Sequence, residues 1–362
     1  MNQLVNDVEN AIFSKFRRTT APSSACDFGR EAAKHPHTRA ERMAVLGQNV
    51  CYIVTAVVIN EGRILMMREA KKSCRGTWYL PAGRVEKNES LEEGVMREVL
   101  EETGLTFQPL SIICIDSQGT FWFRFTFVGC ITGGKLKTLA EEDKESMEAG
   151  WFPAEEVFTS LNLRARDICP LIDCGLKWYE TKQEQTICRL LPAKNSLGQV
   201  TVSLLAVKRK EKNDENSIFC LVCNNSTSDG NPSCFPCLPS KSVEMDGSNV
   251  SRLIDLLIKD FDSYAQYKIH GYVYVEHTGE PHGTADGVRL TVLVEVFQPF
   301  EEGLKGKYQW FKVEGKSLTE TLTSTLFFTE SFLTCMMDIT EKDGLFIVYL
   351  RNFVKVAYHQ TF

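Results

Sequence analysis

Residues 83–105, GRVEKNESLEEGVMREVLEETGL, constrain this chain more than any other stretch. At their centre is a helix whose two ends are both encoded. Ser90 followed three residues later by Glu93 is a capping box, in which hydroxyl and carboxylate satisfy each other's backbone N–H groups at the helix start. Gly104 suits the left-handed residue that closes a helix. Between them Leu91, Val95 and Val99 fall at i, i+4 and i+8, an apolar stripe that faces a core. Glu98, Glu101 and Glu102 gather on another face, and Glu98 with Glu102 is an i, i+4 like-charge pair that weakens a bare helix.

A run of carboxylates is usually a solvated helix face. With the flanking glycines and Arg97 in place, the same cluster points to a hard divalent cation. Mg²⁺ takes oxygen ligands and keeps waters and substrate phosphates in its shell, and Mn²⁺ is the alternative ion. Such an ion polarises a diphosphate, neutralises developing charge and activates a water. Arg97 lies beside the cluster and can orient a carboxylate by a bidentate contact. Gly83 lets the backbone approach the ion, so that its carbonyl can serve as a ligand.

The spacing of Gly83, Glu89, Arg97-Glu98-Val99, Glu101-Glu102 and Gly104-Leu105 resembles the Nudix box at every fixed position, so the chain is identified as resembling the Nudix hydrolases. The resemblance implies an α/β fold, an α/β/α sandwich around a mixed sheet in which the box forms a loop-helix-loop. It implies attack of water on phosphorus in a nucleoside diphosphate linked to another group. Carried over by position, Glu98 and Glu102 would be the principal Mg²⁺ ligands. Glu101 or Glu98 would bind metal or position the water, and Gly83 would supply its carbonyl. The expected metal set is therefore Gly83, Glu98, Glu101 and Glu102, and the expected catalytic set Glu98, Glu101 and Arg97.

The box does not choose a substrate, but its flanks narrow the field. Thr120 stands where ADP-ribose hydrolases tend to have a proline, and Ser117-Gln118 is followed by Gly119-Thr120 rather than by the array of NADH pyrophosphatases. The runs NVCYIVTAVVI, REAKKSCRGTWYLPAGRVE and FRFTFVGCITGGKLKT resemble the branch of the family that acts on oxidised guanine nucleoside diphosphates. That likeness is close over 49–180 and traceable to about 325. It implies hydrolysis of 8-oxo-dGDP and 8-oxo-GDP to the monophosphate and phosphate, which cleanses the nucleotide pool. The rivals are a Nudix pyrophosphatase acting on another substrate such as ADP-ribose, and a protein whose second half works as a binding module. Base recognition needs an apolar slot with a few polar groups. Phe121, Phe123 and Phe125 share one face of a strand, with Trp122 and Arg124 on the other, and either row reads first as core. Glu141-Glu142-Asp143 with Glu145 reads as a solvated run, with one further metal ligand as the sharper alternative.

At 362 residues the chain suggests two domains. We expect a flexible N-terminal segment over 1–46, with a short amphipathic helix near Leu4 to Phe16. The hydrolase domain is expected over 47–182, a second Nudix-like α/β domain without a box over 195–325, and a tail of unknown role over 326–362. Strands are expected over Val50 to Ile59, Arg63 to Arg68, Leu110 to Ile115 and Thr120 to Ile131, the last broken by Thr132-Gly133-Gly134. In the second half Asn224 to Asp246 reads as a long loop, and Val250 to Tyr264 as a helix in the box's place. A long strand leading to Trp151-Phe152 is echoed by one leading to Trp310-Phe311, which is either coincidence or a second copy of one fold.

The net charge of −6 looks mildly acidic, but residues 84–104 alone carry −4 of it, so the acidity belongs to one helix and its loop. With no basic surplus, direct nucleic-acid binding is not expected. No stretch is long and apolar enough to span a bilayer. The start from Met1 to Glu9 lacks the apolar segment of a secretory signal. Most of the 13 cysteines sit singly in apolar runs, as reduced cytoplasmic thiols do. Cys220-x2-Cys223 and Cys234-x2-Cys237 have the spacing of a structural Zn²⁺ site, but the first pair falls on a predicted strand, and unpaired thiols are the favoured reading. The expected partner is a nucleoside diphosphate substrate, and nothing in the sequence fixes the oligomeric state.

Overall fold

The structure, a computed structural model, describes residues 4–11, 43–118, 122–181, 189–209, 217–223, 237–242, 250–297, 304, 306–314, 318–323 and 346–349. Helix α1 spans 4–11. The first half then runs β1 (Cys51–Val57), β2 (Ile59–Asn60), β3 (Arg63–Glu69), β4 (Trp78–Tyr79), β5 (Ala82–Arg84), α2 (Leu91–Thr103), β6 (Leu105–Gln118), β7 (Trp122–Gly134), β8 (Ser146–Pro153), α3 (Ala154–Thr159) and α4 (Cys169–Thr181). A 3-10 turn at Arg166–Ile168 leads into α4.

Helix α2 begins and ends where its caps require. Ser90 accepts from the Glu93 N–H, Glu93 reaches back to the Ser90 N–H at 2.8 Å, and Gly104 closes the helix at φ 74. The β6–β7 hairpin is antiparallel, β7 runs parallel to β1, and β5 pairs antiparallel with β1. A smaller sheet joins β3 to β2, β4 and β8. The α2 stripe packs on one face of the main sheet with Val54, Ala56, Phe123 and Phe125. Leu171, Ile172, Cys174 and Trp178 of α4 pack on the other with Val57, Ile113 and Val128. This is the expected α/β/α sandwich.

The second half runs β9 (Thr201–Arg209), β10 (Ile218–Cys223), β11 (Ser240–Ser242), α5 (Val250–Phe261), β12 (Tyr267–Glu276), β13 (Arg289–Val296), β14 (Tyr308–Lys312) and a short helix, α6, over 318–323. Its main pairings repeat those of the first half. The β12–β13 hairpin is antiparallel, β13 is parallel to β9, and β11 is antiparallel to β9, as β6–β7, β7–β1 and β5–β1 are. The β9–β10 and β10–β14 pairs match β2–β3 and β3–β8. The two Trp-Phe pairs fall on the equivalent strands β8 and β14. The echo in the sequence is thus a repeated fold. One continuous cluster of buried side chains runs through both copies, from Leu91, Val95 and Val99 of α2 to Leu253, Leu257 and Phe261 of α5.

Three expectations need correction. Within 1–46, the helix α1 is packed: Leu4, Val5 and Val8 are buried against Leu205, Val222 and Phe311, because its apolar face covers the outer side of the second sheet. Thr132-Gly133-Gly134 does not end its strand, since Gly133 and Gly134 stay paired with Thr106 and Leu105. The expected loop Asn224 to Asp246 contains β11, although 224–236 and 243–246 lie outside the described residues. From the tail, a strand β15 (Phe346–Tyr349) adds to the free edge of β6.

Candidate functional site

Gly83 sits on β5 opposite Val54 of β1, directly against the Glu98 carboxylate, so that a Cβ there would collide with that carboxylate. Glycine lets the Glu98 carboxylate lie against the backbone here, and a larger residue would push that carboxylate aside. Arg97 organises the acidic face. Its Nε and Nη2 donate to the two carboxylate oxygens of Glu89 at 2.8 and 3.0 Å. Its Nη1 donates to Glu98 at 2.8 Å and Glu101 at 3.1 Å, and Nη2 also donates to the Arg84 carbonyl at 2.9 Å. The hydrogen bonds to Glu89 above all hold the Arg97 guanidinium more basic than usual. Burial pushes the Glu98 carboxyl up, against the pull of Arg97.

Glu102 lies one turn further along α2. It is only 2% exposed, and it accepts the Ala82 N–H at 2.9 Å. Burial pushes its carboxyl well above the usual range, with the Ala82 N–H opposing and Glu98 adding to the rise.

A cavity of about 790 Å³ opens over this cluster, and Gly83, Arg97, Glu98 and Glu101 line it. Its floor is a row across the sheet, Arg84, Ile53 and Arg124 in register on β5, β1 and β7. Lys71 and Arg164 add positive charge, and Tyr79, Trp122 and Asp167 are also in the lining. Arg124 is buried and doubly paired, to Asp116 at 2.6 Å and to Asp167 at 2.6 Å. Tyr79 donates to Asp167 at 2.8 Å. The Nη2 of Arg124 and the Oδ1 of Asp167 are buried without a hydrogen-bond partner.

The residues expected at the site therefore come together, with Glu102 behind the cavity wall. Of the aromatic strand, Phe123 and Phe125 are core, while Trp122 and Arg124 face the cavity; Phe121 lies outside the described residues. Of the acidic loop only Glu145 reaches the cavity lining. Asp143 is held by Lys137 at 2.7 Å and Glu142 pairs with Arg75. Sequence reasoning gave Glu89 no role, although its spacing from Arg97 is the signal. It also missed Asp167, which is 43 residues from Arg124 and becomes its neighbour only in the fold.

The donors here are carboxylate and carbonyl oxygens, the set a hard divalent cation prefers, and the close approach of Gly83 to Glu98 is the cradle for it. Among the described residues no three His, Cys, Asp or Glu side chains stand ready-grouped around a metal position. Arg97 draws Glu98 and Glu101 to itself, and Ala82 holds Glu102. For zinc, Cys220 and Cys223 point to opposite faces of their sheet, into separate buried clusters, and Cys234 lies outside the described residues.

Residues 51–172 match the family model described as the NUDIX domain. The 8-oxo-dGDP phosphatase NUDT18 of Danio rerio is 36% identical over 291 residues, covering 75% of this chain and 84% of that protein. The Homo sapiens protein of the same description is 32% identical over 295 residues, covering 78% of this chain and 85% of its own length. Among solved structures, a NUDIX hydrolase from Nitrosomonas europaea aligns with a TM-score of 0.31 at 26% identity, covering 37% of this chain and 90% of that one.

Proposed function

The chain belongs to the Nudix hydrolase family, and on that premise we propose that it hydrolyses oxidised guanine nucleoside diphosphates, of the 8-oxo-dGDP and 8-oxo-GDP type, to the monophosphate and phosphate. The observation that carries the reading is one cavity in which the box carboxylates meet the cations Lys71, Arg84 and Arg164. Relatives described as 8-oxo-dGDP phosphatases, alike over most of this chain, support the choice of substrate.

Gly83, Glu98, Glu101 and Glu102 would hold Mg²⁺, or Mn²⁺ in its place. Bound there, the ion would neutralise charge on the diphosphate and lower the pKa of water. Lys71, Arg84 and Arg164 bind the phosphate oxygens, a role suited to charge-assisted hydrogen bonds. Glu98 and Glu101 position the water that attacks the terminal phosphorus, and the bond to the bridging oxygen breaks to release phosphate. Arg97 sets the direction of both carboxylates. Trp122 offers the base a ring, and Arg124 with Asp167 offers it a donor and an acceptor.

The working domain is residues 47–182, and the box-less copy over 195–325 is catalytically silent. Aligned from their first residues, α2 and α5 place Leu257 and Phe261 where Glu98 and Glu102 stand, so the second copy has core in place of ligands. No helix among the described residues is long and apolar enough to cross a membrane. We propose a cytoplasmic location from the cysteine-rich, disulfide-poor character of the described chain, and take Cys220, Cys223, Cys234 and Cys237 as reduced rather than zinc-bound. It acts on the free nucleotide and not on nucleic acid.

Phosphate release from 8-oxo-dGDP, 8-oxo-GDP and dGDP, and AMP formation from ADP-ribose, each with and without Mg²⁺ or Mn²⁺, test the reading. The oxidised diphosphates should turn over fastest and only with the cation. Preference for ADP-ribose would move the substrate, and no cation-dependent turnover of any nucleotide would remove the activity altogether.

A further inference from the structure

The silent copy touches the box itself. Its loop between β12 and β13 lies over the turn that precedes α2. Gly279, at φ 74, lies so close to Glu89 that a Cβ would run into the Glu89 carbonyl oxygen. Three residues on, the His282 N–H donates to the Asn88 side-chain oxygen at 2.9 Å. Asn88 itself takes a left-handed φ of 58, the conformation that aims its side chain and the following residue.

The loop is firmly held where it makes these contacts. The Asp286 carbonyl accepts from the buried Tyr52 hydroxyl at 2.6 Å, and its carboxylate accepts from the Leu46 and Gly283 N–H groups at 2.8 and 2.9 Å. At its start, the His277 N–H donates to the Ala193 carbonyl at 2.9 Å, and the His277 ring stands edge-on to Tyr52 at 5.4 Å. Tyr52, His277 and Asp286 are at most 2% exposed.

What this loop presses on is the residue that fixes Arg97. Both Glu89 carboxylate oxygens take Arg97, and Arg97 in turn takes Glu98 and Glu101. An ion pair on a surface, left to itself, gains little and holds its geometry loosely. Groups that orient a metal's ligands matter nearly as much as the ligands. We propose that the loop over residues 277–286 is a brace for the metal cluster: it fixes the Asn88–Glu89 turn, so that Glu89 holds Arg97 and Arg97 presents Glu98 and Glu101 in one geometry to a divalent cation. Gly279 and His282 are positioning residues that touch neither cation nor substrate. The brace rests on the assignment of the box carboxylates to the cation, and it gives the silent copy a task in the first copy's chemistry.

Mn²⁺ binding to the full chain without nucleotide, by isothermal titration, tests it alongside thermal unfolding of the metal-free protein. Gly279→Ala pushes on the Glu89 backbone. Asn88→Gly keeps the left-handed turn and removes the acceptor, and Asn88→Asp keeps both. Gly279→Ala and Asn88→Gly should weaken Mn²⁺ binding about tenfold, the usual effect of losing a ligand's support, while Asn88→Asp binds as the parent does. Asn88→Gly should keep the parent's metal-free Tm, which separates a lost geometry from a lost fold. Mn²⁺ binding that needs Glu98 in the parent but is unchanged in Asn88→Gly and Gly279→Ala would overturn the brace alone. No Mn²⁺ binding by the parent would overturn the cation site, and the brace with it.

Discussion

Glu102 is the box carboxylate whose surroundings are least like water. A single backbone N–H compensates it, and burial raises its carboxyl pKa well above the usual range. A carboxyl raised in the folded state makes the metal-free protein lose stability as pH climbs from the ordinary carboxylate range up to that raised value, because the unfolded chain has already released a proton that the folded chain still holds. Glu102→Gln should therefore raise the metal-free Tm at pH 8 and still cut turnover by at least about 100-fold, beyond the loss typical of a residue that only supports a ligand. Thermal unfolding and phosphate release on the same preparation check the pair. Removing a partner from the buried pair of Asp116 with Arg124 should lower stability instead. Asp116→Ala leaves the buried Arg124 guanidinium with Asp167 as its remaining carboxylate and should cost up to about 3 kcal/mol in urea unfolding. Gly83, Arg97 and the glutamates were legible in the sequence, because one helix and its loop bring them together within 20 residues. The pairing of Arg124 with Asp167 was not, since it depends on how the turn before α4 meets β7.

At the scale of elements, α2 was legible at both ends because its caps are local chemistry. Ser90→Ala should cost about 1 kcal/mol of stability in a denaturant melt, since it removes the side chain that receives the Glu93 N–H. The strands were read less well. β6 and β7 outrun their expected limits and include Gly133 and Gly134, because a hairpin's extent is set by its partner and register rather than by each strand's own composition. Helix α5 shows the limit of pattern alone. Its apolar spacing was plain, but that the face equivalent to Glu98 and Glu102 is core follows only from the fold. Leu257→Glu should therefore destabilise the chain and create no second activity, a result readable from Tm and phosphate release together.

For the whole molecule, the continuous cluster through both copies predicts a single cooperative unfolding transition rather than two. His277 gives that transition a pH dependence. Burial lowers its pKa from 6.5 to about 4, against the opposing charge of Asp286. The unfolded chain takes up the proton first, so stability is full above about pH 6.5 and falls as pH drops toward 4, by about 3 kcal/mol across the window. Urea midpoints at pH 7.5 and 5 check this, and His277→Gln should flatten the difference. The contact of Gly279 on Glu89 ties the two copies together. The second copy is part of what the first copy stands on. Deleting it would strip the Tyr52 hydroxyl of its acceptor and open the common core to water. Through that contact a change at Gly279, in the second copy, would be felt at Glu89, in the first.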